Sequence, residues 1–471
     1  MTSIAHPAPA TPWRDEFRAC LALSAPLVLT NAIEMAMNLT NTAMIGRIAP
    51  EALAAATLAL ALYNVVLLFG IGLTAAVSPL IAREVGRGDG TSEAARRVVQ
   101  GGFWNAAMVV APIWAVLWRA EPILRALGQD PALSHEAAGY LRVMQWSLLP
   151  ALVYLVLRSM LAALERPRWA VATGMAAVAL NAALNAVLIG GAGPLPALGL
   201  TGWGLAMVLS NLFLAGALGL AVTLDPRLRG VRPFAGLLRP PWQACKSLWR
   251  LGLPIGIGIM LEAGMFAAAA VLVGHFDQGS LAAHAIALQV ASFAFMVPLG
   301  IAQAATVRVG RAAGACDHAA VGRAGWTALA LGVGMMVMSS AVLVGLPRPI
   351  IGLFLDPASP GAEAVAQTAV TLLALAALFQ IADGAQVVLA GILRGLQDTR
   401  TPMLIAGIGY WGIGLPLAAA LAPRGAAPGI WIGLVAGLFA AAGLLLTRWL
   451  SRRRNGRPES AARRRHATSS P

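Results

Sequence analysis

Three carboxylic acids stand where so apolar a chain has least use for charge. Glu34 lies within SAPLVLTNAIEMAMNLTN, Glu262 within LPIGIGIMLEAGMFAAAA and Asp383 within ALAALFQIADGAQVVLAG; of the 20 acidic residues, these sit nearest the centre of a long apolar run. An ionised side chain at mid-membrane costs roughly 2.5–3.5 kcal/mol on insertion scales. Such a group either holds a proton or faces water and a cation, and a carboxyl that alternates between the two is a coupling device. Helical spacing gives each acid its company. Glu34, Asn38 and Asn41 share one stripe, as do Gln380, Asp383 and Gln386; Met265 and Phe266 flank Glu262, and Asn181 and Asn185 stand one turn apart. The plainer reading of the amides is glue between helices, at about 0.6–2 kcal/mol per hydrogen bond. His284 reads as a helix-end hydrogen bonder, the methionines as packing, and Pro26 and Pro254 as bends in their helices.

The elements that must position these groups follow from composition. The 471 residues are 58% hydrophobic and only 11% charged, with 50 glycines, against about 25% charged in a soluble domain. Apolar runs long enough to cross a bilayer fall at about 21–45, 52–77, 98–118, 138–161, 169–190, 199–223, 251–273, 281–305, 325–346, 366–392, 402–422 and 429–450. The first is read as a mature helix and not a secretory signal, being too long and carrying Glu34. If the amino terminus is cytoplasmic, 28 of the 34 basic residues fall on the cytoplasmic side, Arg158 and Arg394 counted among its loop residues, which supports twelve spans with both termini inside. No membrane-embedded arginine comparable to the three acids is expected. The net charge of +14 is spread over short loops facing lipid, so nucleic acid is not an expected partner. Cys20, Cys245 and Cys316 fall at the cytoplasmic edges, where no disulfide is expected.

The chain repeats itself. At a fixed displacement of 228, Pro26 falls on Pro254, Glu34 on Glu262, Met37 on Met265, Gly72 on Gly300, Arg83 on Arg311 and Gly86 on Gly314. Six spans separate the copies, so both enter the membrane in the same direction. The expected fold is an all-α membrane protein of twelve transmembrane helices, in two six-helix lobes related by a parallel internal repeat around a central cleft. The segments are a cytoplasmic tail (1–20), an amino lobe (21–223), a basic linker (224–250), a carboxy lobe (251–450) and a basic tail (451–471) read as disordered.

Several function classes lose support. The only lysine, Lys246 in WQACKSLW, lacks the glycines of a phosphate loop, and His135-Glu136 has Gly139 where a zinc motif needs its second histidine. An ATP-driven pump and a hydrolytic enzyme are therefore set aside, leaving a secondary transporter driven by an ion gradient.

Against that background the chain resembles the multidrug and toxic compound extrusion (MATE) family, NorM-like branch, over nearly all its length. The segments that carry the resemblance are MAMNLTNTAMIGRIAPEALAA, LEAGMFAAAAVLVG with AAHAIALQ, FMVPLGIAQAATVRVGRAAG, GILRGLQDTRTPM, and YWGIGLPL with GIWIGLVAGL. The resemblance implies a monomeric antiporter of the inner membrane that exports bulky cationic or zwitterionic organic compounds in exchange for H⁺ or Na⁺, with no cofactor. It places the carboxy-lobe cation and drug site at Glu262 and Asp383, where a Na⁺ would bind, with Phe379, Gln380, Gln386, Met265 and Phe266 around it. Asn181 and Asn185 match the amino-lobe polar network. Asn41 stands where the family usually has an aspartate, and Phe379 where some relatives have a tyrosine. Glu34, two turns before Asn41, is then an auxiliary coupling acid, and the loss of two hard oxygens favours protons over Na⁺. The alternative is a lipid or glycan flippase of the same superfamily, which needs a more cationic cleft.

Overall fold

Where no water is present, a backbone must satisfy its own polar groups, so each apolar run becomes a helix. The computed structural model describes residues 12–45, 50–88, 91–191, 197–228, 230–356, 358 and 361–455. In chain order the helices are α1 (Trp13–Ile45), α2 (Pro50–Ala75) running on into α3 (Val77–Arg87), α4 (Thr91–Leu117), the short α5 (Ala120–Ala126), α6 (Pro131–Met144) joined by a 3₁₀ turn to α7 (Leu148–Ala163), α8 (Arg168–Gly190) and α9 (Gly199–Leu224). The second half holds α10 (Trp242–Gly274), α11 (Gln278–Gly314), α12 (His318–Gly345), the short α13 (Pro347–Ile351), α14 (Ala362–Gly395), α15 (Arg400–Ala406), a π-helical stretch (Gly407–Gly414) and α16 (Leu415–Asn455). No strand occurs among the described residues.

Eleven stretches are long and apolar enough to span a membrane, the last being Arg400–Arg454 with 55 residues. A span needs only about 20. Its backbone breaks at Ala426, where φ is 45°, and the arms fold back on each other: Gly429 packs on Leu421, Gly433 on Ala418 and Gly437 on Gly409 and Gly414. The chain therefore crosses twelve times. Helices also reach beyond the apolar runs, since α1 begins at Trp13, α10 at Trp242 and α16 continues to Asn455. Residues 456–471 of the tail read as disordered, and 1–11 of the amino-terminal tail, lie outside the described residues.

The two halves meet through the repeated segments, and they do so reciprocally. A Cβ on Gly72 would come 2.1 Å from Gly256 Cα, while one on Gly300 would come 2.7 Å from the backbone nitrogen of Val28. Val28 and Gly256 are repeat partners, as are Gly72 and Gly300. Likewise Gly86 abuts the Arg311 carbonyl and Gly314 the Arg83 carbonyl, at 2.0 and 2.1 Å from an added Cβ. An interface in which residue i meets j′ and j meets i′ is the signature of two-fold symmetry, here internal to one chain. Only glycine lets these backbones approach so closely.

These approaches lie toward one end, the one that also holds the turns 164–168, 225–241 and 396–400. Along α2 and α3 the burial pattern changes accordingly. Ala55, Ala56, Ala59 and Tyr63 are buried along one narrow face, whereas Leu73, Thr74, Ala76, Val77, Ile81 and Ala82 are buried over a broader arc. The halves are pressed together at that end, and burial along α2 narrows to one face toward the other. The connection between them is stitched to α4, with Gln100 donating to the Ala235 carbonyl at 2.7 Å and the Trp104 indole to that of Leu237 at 2.8 Å.

Candidate functional site

In the second half, α10 and α14 run antiparallel and touch through Phe266 and Phe379, whose ring centroids are 5.9 Å apart. One turn closer to the packed end, on both helices, come Glu262 and Asp383. The register therefore sets the two acids on the sides of α10 and α14 that carry the Phe266–Phe379 contact, one turn on from it. Asp383 is 6% exposed and its Oδ1 has no partner. Below them a cavity of about 30 Å³ is lined by Glu262, Gln386, Arg394 and Tyr410, with Pro254 at its wall. Two of its lining side chains carry buried polar atoms without partners, Gln386 through Oε1 and Tyr410 through Oη, and Asp383, one turn before Gln386, carries a third. A space of this size admits about one water-sized occupant, and this lining can accept a proton or offer oxygens to a small ion.

Above the acids the phenyl rings continue into Trp431, 5.7 Å from Phe379. The Trp431 indole donates to His284 Nδ1 at 3.1 Å. His284 is thus a hydrogen bonder, as its sequence position suggests, but it lies within α11 and is 2% exposed, packed in the lobe. Two other sequence readings change. Met265 is fully buried in the hydrophobic core and does not line the cleft. Gln380 turns to α12, accepting from Ser339 Oγ at 3.3 Å and donating to Ser340 Oγ at 3.4 Å, because that helix packs against this part of α14 and its two hydroxyls claim the amide. Pro26 and Pro254 sit inside α1 and α10, both of which continue as helix on either side of the proline.

The first half joins Asn41, Asn181 and Asn185. Asn185 Nδ2 donates to Asn41 Oδ1 at 2.8 Å and to Asn181 Oδ1 at 3.1 Å, and Asn181 donates to Ser210 Oγ at 3.1 Å. This network contains only amides and a hydroxyl, so it has no proton to exchange.

Glu34 belongs to a different cluster, and here the expectation of no membrane-embedded arginine fails. Arg158, on α7, is 8% exposed and donates to both Glu34 and Asn31. It also reaches Gln303 Oε1 on α11 at 3.5 Å, and Gln303 donates to Asn31 at 3.4 Å. Arg158 lies five residues from the end of α7, yet its side chain meets the middle of α1. Arg394 likewise lines the Glu262 cavity from the last turn of α14. Each repeat-related glutamate thus has an arginine supplied by its own half, α7 in one case and α14 in the other. Spacing alone could have pointed to Arg158, since the chain carries it within VYLVLRSMLAAL, inside an apolar run.

At the packed end the halves are tied by side chains as well. Glu165, in the turn after α7, accepts from Arg311 at 2.5 Å and Arg308 at 3.3 Å. Gln397, in the turn after α14, accepts from Arg83. Arg83 and Arg311 are repeat partners, and Glu165 and Gln397 hold the same left-handed backbone, with φ of 58° and 60°. Their neighbours make the same helix-closing bond, Arg166 N to Leu161 O and Asp398 N to Leu393 O, at 2.8 and 2.9 Å. Arg308 also grips Glu16 through two bonds, of 3.0 and 2.7 Å. Partial burial pushes the Glu165 carboxyl up, but the two guanidiniums outweigh it and hold it below its ordinary value.

Two helical halves pressed together by reciprocal contacts, with carboxyls buried in their membrane-spanning helices, have the build of a membrane transporter. The MatE family model matches residues 26–187 and again 254–420, starting at the repeat-related Pro26 and Pro254, and the chain belongs to this family. Among relatives, the probable multidrug resistance protein NorM of Mesorhizobium japonicum is 49% identical over 453 residues, covering 96% of this chain and 97% of that protein. Its namesake in Brucella suis is 44% identical over 439 residues, 93% of each chain. Solved structures share the fold: the eukaryotic MATE transporter AtDTX14 has a TM-score of 0.83 at 21% identity, over 94% of this chain and 99% of that one. An outward-facing MATE multidrug resistance transporter has a TM-score of 0.85 at 18% identity, over 94% and 96%.

Proposed function

We propose that the chain is a multidrug efflux transporter of the inner membrane that exports bulky cationic or zwitterionic organic compounds in exchange for protons by alternating access. The observation that carries this reading is the facing of Glu262 and Asp383 across α10 and α14, above a one-water cavity that also holds Arg394. Two opposed carboxyls can share or lose protons as the cleft hydrates, and an organic cation entering the cleft competes for the same charge. Arg394 favours protons over Na⁺. The guanidinium already supplies positive charge to the cavity, so Na⁺ would have to share that space with a resident cation, whereas H⁺ adds no ion of its own size.

The packed end carries most of the basic residues, which by the lysine and arginine bias is the cytoplasmic side. Both termini are then cytoplasmic and the cleft faces outward. Export requires the packed end to open, so the bonds of Glu165, Gln397 and Glu16 across the halves must break and re-form in each cycle. The flippase alternative is not favoured even though Arg158 and Arg394 lie within the membrane, because Glu34 and Glu262 face them and little cationic charge is left over for a lipid phosphate. The test is dye efflux from proteoliposomes under an imposed pH gradient or an imposed Na⁺ gradient, for wild type and Glu262→Gln. Export driven by the pH gradient alone and abolished in Glu262→Gln supports the proposal. Export driven by Na⁺ alone, or full activity in Glu262→Gln, overturns it.

A further inference from the structure

We infer that the outer flank of the first half, where α8 and α9 meet at the packed end, is a binding site for one anionic glycerophospholipid. This stands apart from the efflux reading and holds whatever ion drives transport.

Two hollows meet there. One is an apolar seam of about 690 Å³ between the two helices, with Ala172 and Ala176 on one wall and Phe213, Ala217 and Leu220 on the other. The second, of about 580 Å³, lies between α1 and the turn 164–168 and carries Arg166, Arg168 and Arg227 in its lining. Arg168 and Arg227 line both. An acyl-chain groove that opens at its membrane-surface end onto clustered guanidiniums matches a lipid in shape and in charge.

The charges at this junction do not cancel. Asp225, 5% exposed, accepts from Trp169 Nε1 at 2.9 Å, from Arg168 at 3.2 Å and from the Arg227 amide at 2.9 Å. It neutralises one guanidinium while fixing the indole at the level where tryptophans meet lipid headgroups; Arg168 also lies over that ring at 5.6 Å. The nearby Glu165 is committed to Arg308 and Arg311. Arg166 and Arg227 form no ion pair among the described residues, so two guanidiniums remain for a phosphodiester. Leu220 and Leu224, 59% and 62% exposed, give the tail an apolar ridge to lie along.

The experiment is native mass spectrometry of the full chain in detergent, titrated separately with phosphatidylglycerol and phosphatidylcholine. Wild type should hold one phosphatidylglycerol in preference to phosphatidylcholine. Arg166→Gln with Arg227→Gln, which leaves the Asp225 bonds in place, should weaken phosphatidylglycerol about 25-fold, at about fivefold for each guanidinium removed, and erase the preference. Ala217→Trp, which fills the seam, should reduce retention of both lipids. Equal retention of the two lipids by wild type, or an unchanged preference in the double variant, overturns the site. Full competition by free glycerol phosphate would also overturn it, since it would mean an anion site without a tail groove. The wild-type comparison decides even if a variant fails to fold.

Discussion

If the packed end is a gate, loosening one of its ties should raise the fraction of time it is open by a calculable amount. Glu165 makes two ion pairs across the halves, to Arg311 and Arg308, with side chains between 23% and 34% exposed. That exposure holds each pair to about 0.5 kcal/mol, so Glu165→Ala should cost the closed state about 1 kcal/mol and raise the open-to-closed ratio about fivefold. Gln397→Ala removes the single bond from Arg83, to an uncharged acceptor, and should cost about 0.5 kcal/mol, about a twofold rise in the same ratio. If the two ties act independently, the double variant should be open about 10 times as often as wild type. Cys20 is a built-in reporter. It lies one turn beyond Glu16 on the face of α1 held by Arg308 and is 1% exposed, so a water-soluble thiol reagent reaches it only when the end opens. With Cys245→Ser and Cys316→Ser as background, the Cys20 labelling rate, divided by its rate in denaturant, reports the open fraction. The control is Glu93→Ala, whose pairs with Arg96 and Arg97 lie within one helix. Labelling that stays at the wild-type rate in both single variants, or that rises equally in Glu93→Ala, refutes the gate.

Other expectations follow from the same structure. Gly72→Ala places a Cβ 2.1 Å from Gly256 Cα, so the packed end should fail to close; Cys20 should label readily and efflux should be lost, and normal efflux would contradict the contact. Glu34→Leu leaves the Arg158 guanidinium buried beside only amides, at about 3 kcal/mol in thermal unfolding, whereas Glu34→Leu with Arg158→Leu should recover most of that loss. Stability unchanged in the single variant would show that the pair is not formed. The Trp169 indole and the Arg227 amide hold the Asp225 carboxyl at about 2. Because this value is depressed, the Asp225 contribution is complete above the ordinary carboxylate value of about 4 and is lost as pH falls through about 2. The difference in melting temperature between wild type and Asp225→Asn should therefore be constant from pH 8 to 5, and a gap that narrows over that range counts against the assignment.

The apolar runs and the repeat were legible in the sequence because each depends on a chain-local property, length in one case and residue identity at fixed displacement in the other. Glu262, Asp383, Asn181 and Asn185 were legible because bilayer physics leaves so few reasons for a polar side chain at mid-run. The faces were harder. Gln380 shares a stripe with Asp383 on a helical wheel, but α14 is packed on several sides and Ser339 and Ser340 of α12 claim its amide. Arg158 and Arg394 look like loop residues because both lie within a few residues of a helix end. Depth at such positions is set by what packs outside the helix, and for Arg158 that is the middle of α1. The orphaned hydroxyl of Tyr410 and the burial of His284 against Trp431 arise from contacts between distant segments, for which no spacing rule exists.

The two ties of the packed end are twins in backbone but not in strength, since a carboxylate stands at residue 165 and an amide at residue 397. A door held by one strong and one weak catch does not swing evenly. The Gln397 corner should part first, with the Glu165 corner serving as the pivot, so that opening proceeds as a tilt and not as a symmetric spread. Two halves tied in like manner differ here by one side chain, and that is enough to give their motion a direction.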